Sequence, residues 1–440
     1  MPNLVDDAPV GPGEISLPPD SDAATEPVQL DTRLPKFRRR VFYVVAICCA
    51  LLLVNFWLVR RPEKVGPGVP GAPFLDIADD ARLEPYQTPE NTEYCADWFM
   101  RAEDDASVSF ELPTDADLLF FLSRGPISGE IFITKTPDYS KGPVEVKITA
   151  KYNRREDLER TKVCRMGAAN EHGVLLWAEP RHPHGDPKRD VGFNIEVALP
   201  TGVRDYKDLT TDLALFSHRV DGFFDIWSPT LFEVVRLKTS NALISHGSLM
   251  GRAGFFQTSN SKVEGFFCGY EYAVQTSNAP IGATALMFGE SAGSESQVQL
   301  KTSNGEINAN LGIISDYANN ILRAAVETSN APLTLQTRLT ARNASFFLDA
   351  TTSAAAATLH LDPQYEGPYD LQTTVALASV IETEADDPSG TGRRRTVTRK
   401  STGHHAQGNI YWSQDGEPPN AFERGSVKIA TTVFPVELHI

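Results

Sequence analysis

From Ser107 onward, apolar and polar residues follow one another in short runs: "SVSFELP", "LLFFLS", "GEIFITKT", "VEVKITAKY", "GVLLWAE" and "VGFNIEVALP". Most of these runs alternate with period two, all are rich in Val, Ile, Leu or Phe, and Gly, Pro and Asp clusters separate them. That is the pattern of β-strands with one face buried. No stretch of ten residues or more beyond residue 90 sustains the 3.6-residue period of an amphipathic helix. The pattern predicts an all-β body over residues 91–440.

Within that body one tripeptide recurs. "LKTSNALI", "FQTSNSKV", "VQTSNAPI", "LKTSNGEI" and "VETSNAPL" contain Thr239-Ser240-Asn241, Thr258-Ser259-Asn260, Thr276-Ser277-Asn278, Thr302-Ser303-Asn304 and Thr328-Ser329-Asn330. At ordinary residue frequencies only about a tenth of one copy is expected by chance. The threonines advance in steps of 19, 18, 26 and 26, and weaker copies follow at Thr352, Thr373 and Thr431. Leu122 and Leu213 open two degenerate members before the array. Steps near twenty residues mark a stack of coils, each burying its apolar face against the next. The expected fold is therefore a β-solenoid-like repeat domain, with repeats over 237–440 and a β-sandwich as the alternative.

In each copy the apolar residue and the Thr two positions later point to one strand face, which is assigned to the interior. The long polar residue between them (Lys238, Gln257, Gln275, Lys301, Glu327 and later Gln372) is assigned to solvent. Asn favours a turn, and stacked asparagines can form an amide ladder. The tripeptide thus reads as a corner. Stacking in sequence order sets Gln257 over Gln275 and Lys301 over Glu327.

Ahead of the body lies a different kind of segment. "VFYVVAICCALLLVNFWLV", Val41 to Val59, carries no charge; its 19 residues span roughly 28 Å as a helix, enough to cross a bilayer. Arg33, Lys36, Arg38, Arg39 and Arg40 precede it, against Arg60, Arg61 and Lys64 after it. This asymmetry predicts a cytoplasmic N-terminus. The domain plan is a disordered cytoplasmic tail with its basic cluster (1–40), a transmembrane helix (41–59), a Pro/Gly-rich stalk (60–90), and the extracytoplasmic β body (91–440). The expected location is the plasma membrane or a secretory-pathway membrane. The single acceptor sequon for N-glycosylation, Asn343-Ala344-Ser345, falls on the extracytoplasmic side. A net charge of −16 argues against nucleic acid as a partner. Cys95, Cys164 and Cys268 lie in the body, where an oxidising compartment permits one bridge, its pairing open.

The element Thr-Ser-Asn-Gly-x-Ile, complete only as Thr302 to Ile307, resembles the repeat of an adhesin family of β-strand-repeat proteins that includes membrane-anchored fungal members of unknown function. The resemblance covers roughly Ser107 to Ile440. It implies a β-solenoid-like extracellular domain and no particular chemistry.

Catalytic candidates are weak. "FGESAGS", Phe288 to Ser294, matches the Gly-x-Ser-x-Gly elbow around Ser291, but the residues after it read as a strand, where the elbow needs a helix. Asp221 and Asp225 form the nearest carboxylate pair. His182, His184 and Asp186, and the pair His404-His405, lack a closed metal-ligand pattern. No catalytic residue, metal or cofactor is assigned. The polar stretch 382–408, with Arg393-Arg394-Arg395, is expected to be an exposed loop. The expected function is non-enzymatic surface interaction or a structural role, with the bilayer and a cell-wall or surface polysaccharide as partners. A carbohydrate-active enzyme on a β-helix, and an endomembrane scaffold, are the alternatives.

Overall fold

The computed structural model describes residues 81–89, 92–96, 106–136, 141–179, 191–223, 229–341, 343–416 and 424–440. The tail, the segment Val41–Val59 and residues 60–80 of the stalk lie outside them. Among the described residues no helix is long and apolar enough to cross a membrane.

Nearly all described residues lie in or between strands; the exceptions are a 3-10 turn, Ala81–Tyr86, and a five-residue helix, Arg155–Glu159. The body is all-β. Through the repeats each strand pairs in parallel with its second neighbour along the chain. Glu271–Gln275, Glu295–Lys301, Ile321–Glu327 and Ser345–Thr351 succeed one another in a first sheet. Val263–Gly269, Ile281–Phe288, Ile307–Ile314, Leu333–Leu339 and Ala357–His360 do so in a second. The chain therefore winds as coils, each giving one strand to either sheet. The long strand Ile244–Gln257 serves both, its first half in the second sheet and its last residues in the first.

Period two explains the core. Val263, Ile281, Ile307, Leu333, Ala357, Val436 and Ala378 form one column of register partners, all buried, between the two sheets. A one-residue slip would turn the whole column to solvent, so the register is strongly specified.

Stacking does not follow sequence order at the ends. The last strand pair, Gly425–Ala430 and Val436–His439, inserts between the coil of Ser345–Thr351 and that of Gly367–Gln372. At the other end, Leu118–Arg124 lies between Glu171–Ala178 and Asp205–Asp212. A sheet edge accepts any strand of matching in/out pattern, and a long connection adds little closure entropy.

Antiparallel strands cover both ends. Residues 394–408 are not the loop expected of 382–408: Arg394–Ser401 and His405–Ser413 form a hairpin that closes the first sheet. The Thr-Val-Thr alternation supports a strand there, and its many charges suit an unpaired edge. The last stalk residues also depart from expectation. Residues 81–89 dock on the body, with Leu83 and Tyr86 buried against Leu118, Phe120, Leu122, Cys164, Met166 and Leu175. This second core explains why every residue from Leu118 to Ser123 is buried: both faces of that strand are covered. Arg82 pairs with Glu171 at 3.0 Å and Asp208 at 2.7 Å, and the Tyr86 hydroxyl donates to Glu171 at 2.9 Å.

Cys95 and Cys164 are direct antiparallel partners and form a disulfide across 69 residues, leaving Cys268 buried and outside the bridge. Closing a loop of that length stabilises the fold by about 4 kcal/mol in the chain-entropy account.

Candidate interaction surface

The Thr-Ser-Asn corners are built by three hydrogen-bond columns. Thr239, Thr258, Thr276, Thr302 and Thr328 are buried, and each hydroxyl donates to the preceding coil's turn, for example Thr302 to the Ala279 carbonyl at 3.2 Å and Thr328 to that of Gly305 at 3.0 Å. Thr suits this place because it is β-branched, small, and carries one donor. Each Ser carbonyl accepts two N–H groups from the next coil: Ser240 takes Ser259 and Asn260, Ser259 takes Ser277 and Asn278, Ser277 takes Ser303 and Asn304, and Ser303 takes Ser329 and Asn330. The Asn side chains stack outside, Asn260 donating to Asn241 and Asn278 to Asn260 at 2.6 Å, then Asn304 to Asn278 and Asn330 to Asn304 at 2.7 Å. Ala354 takes the next place and ends the ladder.

Gly305 has a specific cause. A Cβ there would lie 1.8 Å from the Ala279 carbonyl oxygen, so close backbone approach, not a left-handed dihedral, calls for glycine at this copy. The other copies hold Ala or Ser at this place.

At the corners the Thr hydroxyls and Ser carbonyls are engaged by neighbouring coils, and further polar side chains line the sheet faces. On the first sheet Gln257 neighbours Gln275, and Lys301 bonds Glu327 at 2.8 Å. On the second sheet two outward columns run across successive coils: Asn308, Thr334 and Thr358, and beside them Thr284, Asn310 and Gln336. They are neutral donors and acceptors, about 4.8 Å from coil to coil. Gly282 lacks a side chain next to them, and a shallow groove of about 380 Å³ opens over it, lined by Thr284, Asn308 and Asn310 with Lys262 and Glu306 at its margin.

The catalytic candidates do not converge. Ser291 sits in an exposed turn between the strands Ile281–Phe288 and Glu295–Lys301, with a strand where an elbow needs a helix. Asp221 accepts the Gly222 N–H at 3.0 Å and lies 3.9 Å from Arg219; Asp225, His182, His184 and Asp186 fall outside the described residues. His404 bonds the Ala376 carbonyl at 2.6 Å while His405 bonds Asp370 at 2.7 Å, so the two imidazoles serve different partners. Arg393 is held by Asp387 at 3.1 Å and Glu366 at 3.2 Å, and Arg395 lies over the Trp412 ring. Asn343 is exposed in a turn with φ of 53°.

Two interior histidines escaped sequence reasoning, because their runs "FSHRV" and "ISHGS" look like any other strand. His218 bonds the Thr211 hydroxyl at 2.7 Å. His246 bonds the Tyr272 hydroxyl at 3.2 Å and stacks on Phe256 with 4.3 Å between rings. Burial lowers both from 6.5 to about 4, which makes them neutral polar members of the core.

No family model and no curated protein matches the chain. Among solved structures, a "putative cell adhesion protein" from Clostridium sporogenes aligns over 76% of this chain and 98% of its own, at 8% identity and a TM-score of 0.16. A likeness this slight carries no argument for fold or function.

Proposed function

We propose that the chain is a single-pass membrane protein, N-terminus cytoplasmic, displaying a β-solenoid for non-enzymatic, adhesion-like surface interaction with a cell-wall or surface polysaccharide. The observation that carries this reading is the pair of outward amide and hydroxyl columns on the second sheet, with their groove. Evenly spaced neutral donors and acceptors suit weak, repeated contacts with a hydroxyl-rich polymer. The uncharged stretch Val41–Val59 with its preceding basic cluster supports anchoring, and the disulfide fits an oxidising compartment. The test is retention of the full chain on immobilised neutral polysaccharides, with product release measured in parallel. Asn308→Ala with Asn310→Ala weakens retention, whereas Ser291→Ala, Asp221→Asn and His404→Ala with His405→Ala leave it intact. Polymer cleavage abolished by any one of the last three changes would replace this reading with a carbohydrate-active enzyme.

A further inference from the structure

The hairpin that closes the first sheet creates a second groove on its outward face, three residues before the corner threonines Thr373 and Thr431. Four adjacent strands place Lys400, Gln407, Asp370 and Lys428 in one row of register partners. At about 4.8 Å per strand, the two lysine backbones stand roughly 14 Å apart. The groove has a volume of about 500 Å³, and Thr398, Asn409 and Ser426 flank the row within it. Its one carboxylate, Asp370, is already engaged by His405 at 2.7 Å and by the Gln372 amide at 2.9 Å. Among the described residues, neither Lys400 nor Lys428 forms an ion pair. Asp349 stands beside Lys428 on its other side, and the row continues through Ala325 and Gln299.

We infer that this groove binds an acidic polysaccharide, one bearing carboxylate or sulfate groups on its sugars. The inference rests on the polysaccharide reading above and adds a ligand class and a site to it. The two ammonium groups bracket the Gln407 amide and the Asp370 carboxylate, which His405 and Gln372 engage, and Thr398, Asn409 and Ser426 lie alongside; the lysines attract spaced negative charges, and the amide and hydroxyl groups hydrogen-bond sugar hydroxyls. The net charge of −16 makes the surrounding field repulsive to anions, so capture has to be local. That field penalises a nucleic acid more than a polymer with one charge per sugar, because duplex DNA packs a charge into every ~1.7 Å.

The test uses the full chain on three columns, polygalacturonate, dextran sulfate and neutral dextran, with single-stranded poly(dT) as a fourth. Retention is expected on one or both acidic polysaccharides and falls with added salt, as an exposed charge contact requires. Comparing those two arms assigns the anion as carboxylate or sulfate. Lys400→Ala with Lys428→Ala weakens that retention roughly two- to thirty-fold, the range for losing two exposed ion pairs, and Lys428→Glu alone weakens it at least as much as Lys428→Ala. Lys151→Ala, an exposed change on a distant strand, leaves it unchanged, and unaltered circular dichroism shows each variant folded. Equal acidic-polymer retention by the double variant overturns the inference, as does capture by poly(dT) with none on either acidic polysaccharide. Retention on neutral dextran alone overturns it while leaving the broader reading standing; no retention on any polysaccharide removes both.

Discussion

Replacing Thr302 by Val tests the claim that the corner threonines stabilise the fold as hydrogen-bonding groups and not merely as β-branched filler. Valine keeps the shape and strand preference of Thr and deletes one hydroxyl. At Thr302 that hydroxyl donates to the Ala279 carbonyl and accepts the Gly305 N–H, both at 3.2 Å, in a site 2% exposed. The change leaves two inner backbone groups without this partner, at about 1–3 kcal/mol each, so a loss of about 2–6 kcal/mol is expected. Thr276 provides the contrast. Its hydroxyl lies 3.4 Å from the carbonyls of Ser259 and Ser261, and the Ser259 carbonyl keeps two N–H donors, from Ser277 and Asn278. Thr276→Val is therefore expected to cost about 0.5–1 kcal/mol. Equilibrium urea unfolding of the full chain, disulfide intact, followed by circular dichroism, measures both. With an m-value of about 3 kcal/mol/M, Thr302→Val lowers the midpoint by roughly 0.7–2 M. Costs equal within about 0.5 kcal/mol for the two variants would refute the assigned role, leaving packing as what Thr contributes.

Two further outcomes are expected. His218 and His246 are held near 4 by burial, against 6.5 when unfolded, so the unfolded chain takes protons that the folded chain refuses. Their contribution is full above about pH 6.5 and drains as pH falls toward 4, by up to about 3 kcal/mol for each imidazole; His246→Phe flattens the stability–pH curve over that window, and a curve unchanged by the substitution counts against the interior placement. Asn343, exposed on the surface, is expected to carry glycan when the chain is made in a eukaryotic secretory pathway, so a glycosidase shifts its mass and Asn343→Gln abolishes the shift; digestion of the β body by protease added to sealed microsomes would reverse the assigned orientation.

The repeats were legible because their information is local. Which residues face inward depends only on alternation, and a strand turns every second side chain to the same side; Leu237 with Thr239, or Leu300 with Thr302, therefore announce a buried face without knowledge of any neighbour. The Asn ladder was legible for a related reason: identical coils bring identical positions into register. The sequence by itself also marked Val41–Val59 as able to span a bilayer, through length and lack of charge. Only tertiary structure decided who neighbours whom at the ends. The coil of Thr431 stacks between those of Thr352 and Thr373 because an open sheet edge selects a strand by pattern, not by chain order, and loop closure grows only logarithmically with the chain crossed. The same non-locality joined Cys95 to Cys164 and laid Leu83 and Tyr86 over Phe120. It also drew Lys400 and Lys428 into one row. A basic, polar stretch between residues 382 and 408 reads as loop until another strand supplies its hydrogen bonds. Pairing across a sheet leaves no signature in either strand alone, and the groove between Lys400 and Lys428 exists only where four strands meet.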